Sequence, residues 1–208
     1  MVLEAHRAVA DRVLLPLAER MRTVNPNHLS WAAFVVAVGA GFAFYLASPV
    51  WLLVAALLIF LNALLDALDG KVAKLTGRAS ARGDFLDHVL DRYADLVILG
   101  GIALGGYGDL TVGFFAVLGV LLVSYMGTQA QAVGLGRQYG GLMGRADRLV
   151  LLFAFAWVQL LADPRGAGFG IGGVAYTPLT WLLLVFAVVG QATAIWRAIV
   201  SWRRLGAH

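Results

Sequence analysis

Cysteine is absent from the 208 residues, so neither a disulfide nor a thiolate metal site can form, although the absence does not identify a redox compartment. Charge is scarce as well. Asp, Glu, Lys and Arg make up 13% of the chain, against about a quarter in a soluble domain, while 61% is hydrophobic. No Ser- or Pro-rich stretch, charge block or composition shift marks a linker, which leaves a single domain over 1–208. No basic stripe with interleaved aromatics is present, so the net charge of +4 points to lipid headgroups and phosphates and away from nucleic acid. What remains is the composition of a polytopic membrane protein.

The first residues lack the unbroken apolar core of a cleaved signal peptide, because Glu4, His6, Arg7, Asp11 and Arg12 interrupt it; they are expected to stay in the mature chain. Val9, Ala10, Val13, Leu14, Leu17 and Met21 recur at helical steps opposite Glu4, Arg7, Asp11 and Arg22. This predicts an amphipathic juxtamembrane helix over 1–24 lying at the interface, with Pro16 as a candidate kink. From Leu29 to Leu65 there is no charge, a run too long for one crossing of about 20 residues, and Ser48-Pro49 divides it. A second hairpin runs from Leu96 to Gly136 around the turn at 105–109, and a third from Leu149 to Trp196 around 163–177. The expected fold class is an all-α integral membrane protein with six transmembrane helices over 29–203.

Of the 16 Lys and Arg residues only Arg165 falls in a hairpin turn. The positive-inside rule therefore puts both termini and the two charged loops on the cytoplasmic side of a multi-pass cell membrane. Gly39, Gly41, Gly100, Gly101 and Gly119 are candidates for close helix packing. Tryptophans such as Trp31 and Trp202 read as interface anchors.

Six of the ten aspartates lie between Asp66 and Asp95, at a depth where carboxylates are costly. Asp66 and Asp69 stand at i and i+3, while Asp84, Asp87, Asp91 and Asp95 fall within an arc of roughly 80° on a helix. Two antiparallel helices would aim these carboxylates at each other, and such repulsion requires protonation or cations between them. With only oxygen ligands available, the expected cation is Mg²⁺, Mn²⁺ or Ca²⁺. The bland alternative is helix capping and pairing with Lys71, Lys74, Arg78, Arg82 and Arg92. It suits Asp84, which follows Gly83 at an expected helix start, but not the ordered spacing of Asp66, Asp69, Asp87 and Asp91.

These residues resemble the motif of the CDP-alcohol phosphotransferase family, D-x-x-D-G-x-x-A-R, a short gap, then G-x-x-x-D-x-x-x-D. Asp66, Asp69-Gly70, Ala73-Lys74, Gly83, Asp87 and Asp91 match it, with Lys74 in place of Arg, which keeps a cation but loses a planar bidentate donor. Pro26-Asn27 also looks like a family feature. The resemblance spans essentially the whole chain. It implies that Asp66, Asp69, Asp87 and Asp91 hold two Mg²⁺ or Mn²⁺ ions around the donor pyrophosphate and that Asp91 is the general base. It further implies donor binding by Gly70, Lys74 and Gly83, CMP as the product and a homodimer. For the two glycines the alternative is tight helix packing.

An acceptor carrying its own phosphate needs further cations, and the loop holding Arg137, Arg145 and Arg148 offers them. The stretch from Ser124-Tyr125 through Gly140-Gly141 to Arg145-Ala146-Asp147-Arg148-Leu149 is similar to the inositol-phosphate-using branch, as are Phe85-Leu86-Asp87 and Asp91-Arg92 with Asp95. This implies that Arg145 holds the acceptor phosphate, with Ser124, Arg148, Arg197 and Arg137 as further candidates. Ordinary positive-inside anchoring is the alternative for the arginines, and His88 reads as an interfacial side chain. Gly127-Thr128-Gln129-Ala130-Gln131 looks more like the archaeal branch, which implies CDP-archaeol as donor ahead of CDP-diacylglycerol. Glycerol 3-phosphate, serine or another alcohol is the alternative acceptor. A divalent-cation transporter is the alternative class, and apolar outer halves of the spans argue against it.

Overall fold

The computed structural model describes residues 12, 14–136, 144–171 and 174–206. Six long helices are present among them: α1 (Pro26–Leu46), α2 (Pro49–Leu75), α3 (Ala81–Leu104), α4 (Leu110–Ala132), α5 (Arg145–Ala162) and α6 (Pro178–Leu205). Proline opens α1, α2 and α6, where its missing N–H costs nothing and its fixed φ suits a first turn. Asn25, Ser80, Asp109 and Thr177 cap α1, α3, α4 and α6 through side-chain oxygens. Ser80 caps α3, which starts at Ala81, so Asp84 stands in its first turn and is not its cap.

α1 packs on α2 and α3, α4 on α3 and α6, and α5 on α2 and α6, which closes the helices into a ring. Four of them, α1, α2, α4 and α6, are long and apolar enough to cross a membrane. α3 and α5 fall short in composition because Asp84, Asp87, Asp91, Arg92 and Asp95 sit on one and Arg145, Asp147 and Arg148 on the other. Large apolar side chains such as Val35, Phe42, Phe60, Phe114 and Val188 point outward and exposed, the inverse of a water-soluble bundle. The chain is a multi-pass, helical integral membrane protein.

The interior is built from small residues. Ala37, Ala40 and Ala55 have no exposed surface. α1 crosses α3 at Gly41 and Gly101, where a methyl on Gly101 would run into the Gly41 carbonyl; α4 crosses α6 at Gly119 and Gly190 in the same way. Gly100 departs from expectation, since a Cβ there would meet nothing within 4 Å. Residues 14–20 are helical, and Leu14, Leu17, Ala18 and Met21 pack on Leu29, Leu68 and Val72 of α1 and α2. The rest of the 1–24 expectation, residues 1–11 and 13, lies outside the described residues.

The end of the bundle remote from the aspartates is tied by polar bonds. The connection at 163–177 is not a simple turn: it contains a two-stranded antiparallel hairpin, β1 (Phe169–Ile171) with β2 (Val174–Tyr176), in the register Phe169 to Tyr176 and Gly170 to Ala175. The Asp163 carboxylate accepts from the N–H groups of Ala167 (2.8 Å) and Gly168 (3.0 Å). Thr177 and Thr180 donate to the Tyr107 carbonyl, and the Tyr107 hydroxyl donates to the Pro164 carbonyl at 2.7 Å. Burial, reinforced by Asp163, raises the Tyr107 phenol above its ordinary pKa and keeps it a neutral donor.

The glycine crossings yield a matched test. Gly101→Ala is expected to lose about 1–3 kcal/mol or more through overpacking, whereas Gly100→Ala is expected to be neutral or stabilising. Thermal unfolding of the two variants in detergent distinguishes them, and equal stability would remove the α1–α3 crossing as the reason for Gly101.

Candidate active site at the charged end of the bundle

α2 runs unbroken past the last apolar turn, so Asp66 and Asp69 lie on one helical face together with Asn62, one turn earlier. α3 presents Asp87, Asp91 and Asp95 at i, i+4 and i+8. Carboxylate oxygens of Asp66, Asp69 and Asp87 come within 4.8 Å of one another, as do ligand atoms of Asp87, His88 and Asp91. Asp69 and Asp91 are buried, at 4% and 8% exposure. Three or four carboxylates at such spacing and depth repel strongly, and their hard oxygen donors suit a divalent cation of the magnesium or manganese type. The donor set fits the metal that the motif implies.

Beside these carboxylates stand arginines of the acceptor expectation, held by ion pairs and hydrogen bonds. Arg145, the first residue of α5, forms ion pairs with Asp91 and, at 3.3 Å, with Asp66. Arg148, one turn on and 3% exposed, meets Asp95 at 2.6 Å. Arg92 reaches Asp91 at 3.5 Å and Asp95 at 3.7 Å and donates to the Ser124 hydroxyl. Arg197, also buried, donates to the Val123 carbonyl at 2.6 Å and so ties α6 to α4 next to Ser124. One network thus joins Arg145, Asp91, Arg92, Asp95, Arg148 and Ser124. Arg137 lies outside the described residues.

Two cavities flank the network. One of about 170 Å³ is bounded by Asn27, Asp69, Gly70, Lys74, Gly83 and Asp87, which gathers the donor-binding candidates in one place. A Cβ on Gly70 would meet nothing within 4 Å, so this glycine leaves space for a ligand instead of serving helix packing. Gly83 is tighter, 3.3 Å from the Asn27 Oδ1 and Ser80 Oγ atoms by the same measure. The other cavity, about 360 Å³, lies between α3 and α4 and is lined by His88, Arg92, Ser124, Tyr125 and Thr128. His88 faces it with Nε2 3.3 Å from Asp84.

Two contributors, Ser30 and Asn62, were not legible in the sequence, and Arg92 was legible there only as a pairing partner for aspartates and as part of the branch match. Ser30 of α1 donates to Asp69 at 2.6 Å, Asn62 donates to the Ala33 carbonyl at 2.8 Å, and Arg92 bridges two helices. Ser30 and Asn62 are polar residues inside the uncharged run from Leu29 to Leu65, which was their only visible signal.

Arg148 and Asp95 are nearly inaccessible, so breaking the pair leaves a buried charge. Asp95→Leu is expected to cost about 3–5 kcal/mol, and adding Arg148→Leu to recover most of that loss. Unfolding midpoints of the single and double variants decide between this pairing and independent contributions.

Comparison with known proteins agrees with the motif. The archaetidylinositol phosphate synthase of Methanothermobacter thermautotrophicus is 31% identical over 204 residues, covering 98% of this chain and 96% of the relative. That of Pyrococcus horikoshii is 37% identical over 130 residues, covering 62% and 68%. Among solved structures, Mycobacterium tuberculosis phosphatidylinositol phosphate synthase with CDP-DAG bound shares the fold, with a TM-score of 0.74 at 22% identity, covering 92% of this chain and 94% of that one. The same protein in complex with manganese and citrate superposes with a TM-score of 0.73 at 21% identity, covering 91% and 88%. The family model of the CDP-alcohol phosphatidyltransferases matches residues 23–196, and the chain belongs to that family.

Proposed function

We propose that this membrane enzyme transfers the lipid-phosphate group of a CDP-linked lipid to a hydroxyl of inositol phosphate and releases CMP. The observation that carries this reading is the convergence of Asp66, Asp69, Asp87 and Asp91 beside a cavity bounded by Gly70, Lys74 and Gly83. The names of the archaeal relatives favour an archaetidyl donor such as CDP-archaeol over CDP-diacylglycerol.

In this reading the four aspartates hold two Mg²⁺ or Mn²⁺ ions, which when bound neutralise charge on the donor pyrophosphate and the departing CMP. Asp91 accepts the acceptor hydroxyl proton as the oxygen attacks the lipid-side phosphorus and the bond to CMP breaks. Lys74 and the two glycines receive the nucleotide end of the donor. Arg145 neutralises Asp66 and Asp91, and with cations held by the aspartates its guanidinium would be free to bind the acceptor phosphate. Arg148, Ser124 and Arg197 border that position, with Arg137 as a further cation.

All six helices span the membrane in this reading, since α3 and α5 are disqualified only by the charges of the site itself. The charged end faces the cytoplasm of the cell membrane in this reading, which the distribution of Lys and Arg supports, with both termini on that side. The helical residues 14–20 lie at the interface, 1–208 is one domain, and family resemblance supports a homodimer.

The deciding experiment is CMP release by purified protein with CDP-lipid and a panel of acceptors. Inositol phosphate is expected to exceed inositol, serine and glycerol 3-phosphate; glycerol 3-phosphate as best acceptor would sink the acceptor assignment but not the transferase chemistry. EDTA is expected to abolish turnover. Asp91→Asn should lower kcat by roughly 10²- to 10⁴-fold while leaving donor binding partly intact, and near-normal turnover would remove Asp91 as the base. Arg145→Ala should raise the acceptor KM by roughly 10- to 150-fold and spare the donor KM. The opposite split would show that Arg145 serves the donor.

A further inference from the structure

We infer that Ser30 of α1 is a positioning residue for the metal cluster, acting through Asp69. The inference rests on the metal reading of the four aspartates given above. Ser30 Oγ lies 2.6 Å from Asp69 Oδ2 and 3.3 Å from the carbonyl of Pro26, its own helix neighbour one turn back. A hydroxyl has one proton, and the shorter, charge-assisted contact to the carboxylate takes it. Both partners are buried, at 6% exposure for Ser30 and 4% for Asp69, which strengthens the bond between them.

The placement is specific. Ser30 belongs to both the donor cavity and the tight cleft that holds Asp66, Asp91 and Arg145, and it stands in the wall between them. One turn deeper, Asn62 of α2 donates to the Ala33 carbonyl of α1 at 2.8 Å, which fixes the α1–α2 spacing at which the serine hydroxyl meets Asp69. α1 has no acidic residue and supplies no cluster ligand; its contribution is to hold one carboxylate oxygen and thereby set the plane of the other. Partners of this kind govern metal affinity because the ligand must already point at the cation before it arrives.

Mn²⁺ binding, followed by the EPR signal of free Mn²⁺ over purified protein in detergent, tests the role without requiring turnover. Ser30→Ala is expected to weaken Mn²⁺ binding roughly 10- to 100-fold, and Ser30→Thr, which keeps the hydroxyl, to stay within about three-fold of the parent. In CMP release the alanine variant should need correspondingly more Mn²⁺ yet regain most of its kcat at saturation. Unchanged Mn²⁺ affinity in Ser30→Ala would overturn the inference. So would equal weakening in both variants with an equally early unfolding in EDTA, which would mark Ser30 as packing between helices. A parent protein that binds no Mn²⁺ would instead overturn the metal reading itself, and this inference with it.

Discussion

Carboxylate oxygens of Asp66, Asp69 and Asp87 lie within 4.8 Å of one another at the edge of an apolar bundle, and three arginines among the described residues answer the repulsion within the acidic cluster. Arg145 lies against Asp66 and Asp91, Arg148 against Asp95, and Arg92 between Asp91 and Asp95. Cations from two helices, α3 and α5, thus stand close to anions from two, α2 and α3. A site arranged in this way attracts divalent cations and phosphate groups alike, because each can replace one half of an internal ion pair.

The two ends of the bundle have correspondingly different tasks. Away from the aspartates, Tyr107, Thr177, Thr180 and Asp163 close the connections with hydrogen bonds, and the glycine crossings of α1 with α3 and α4 with α6 bring backbones into contact. Toward the aspartates, the helices leave cavities of about 170 and 360 Å³. Tight packing at one end fixes the helix directions on which carboxylate spacing at the other end depends.

Arg145 pairs with two of the motif aspartates, Asp66 and Asp91, which lie on different helices. A guanidinium that neutralises Asp66 and Asp91 competes with any cation for the same oxygens. Linkage would make such competition reciprocal: whatever drew Arg145 away from the aspartates would strengthen cation binding there, and a bound cation would release Arg145.

The sequence by itself determined the membrane class, the three helical hairpins, the four aspartates and their family, because hydropathy and helical periodicity are local properties and the aspartate motif has fixed offsets along two helices. Even its misplacements were local: the start of α3 shifted to the Ser80 cap, and Gly100 was grouped with Gly101 although it faces open space. Only the tertiary structure decided that Arg145 meets Asp66 and Asp91 instead of standing free, that Arg92 joins α3 to Ser124, that Gly70 opens a cavity, and that Ser30 reaches Asp69 across 39 residues of sequence. These pairings depend on which faces of which helices meet and at what depth, and a one-dimensional pattern carries the face of each helix but not the identity of its neighbour.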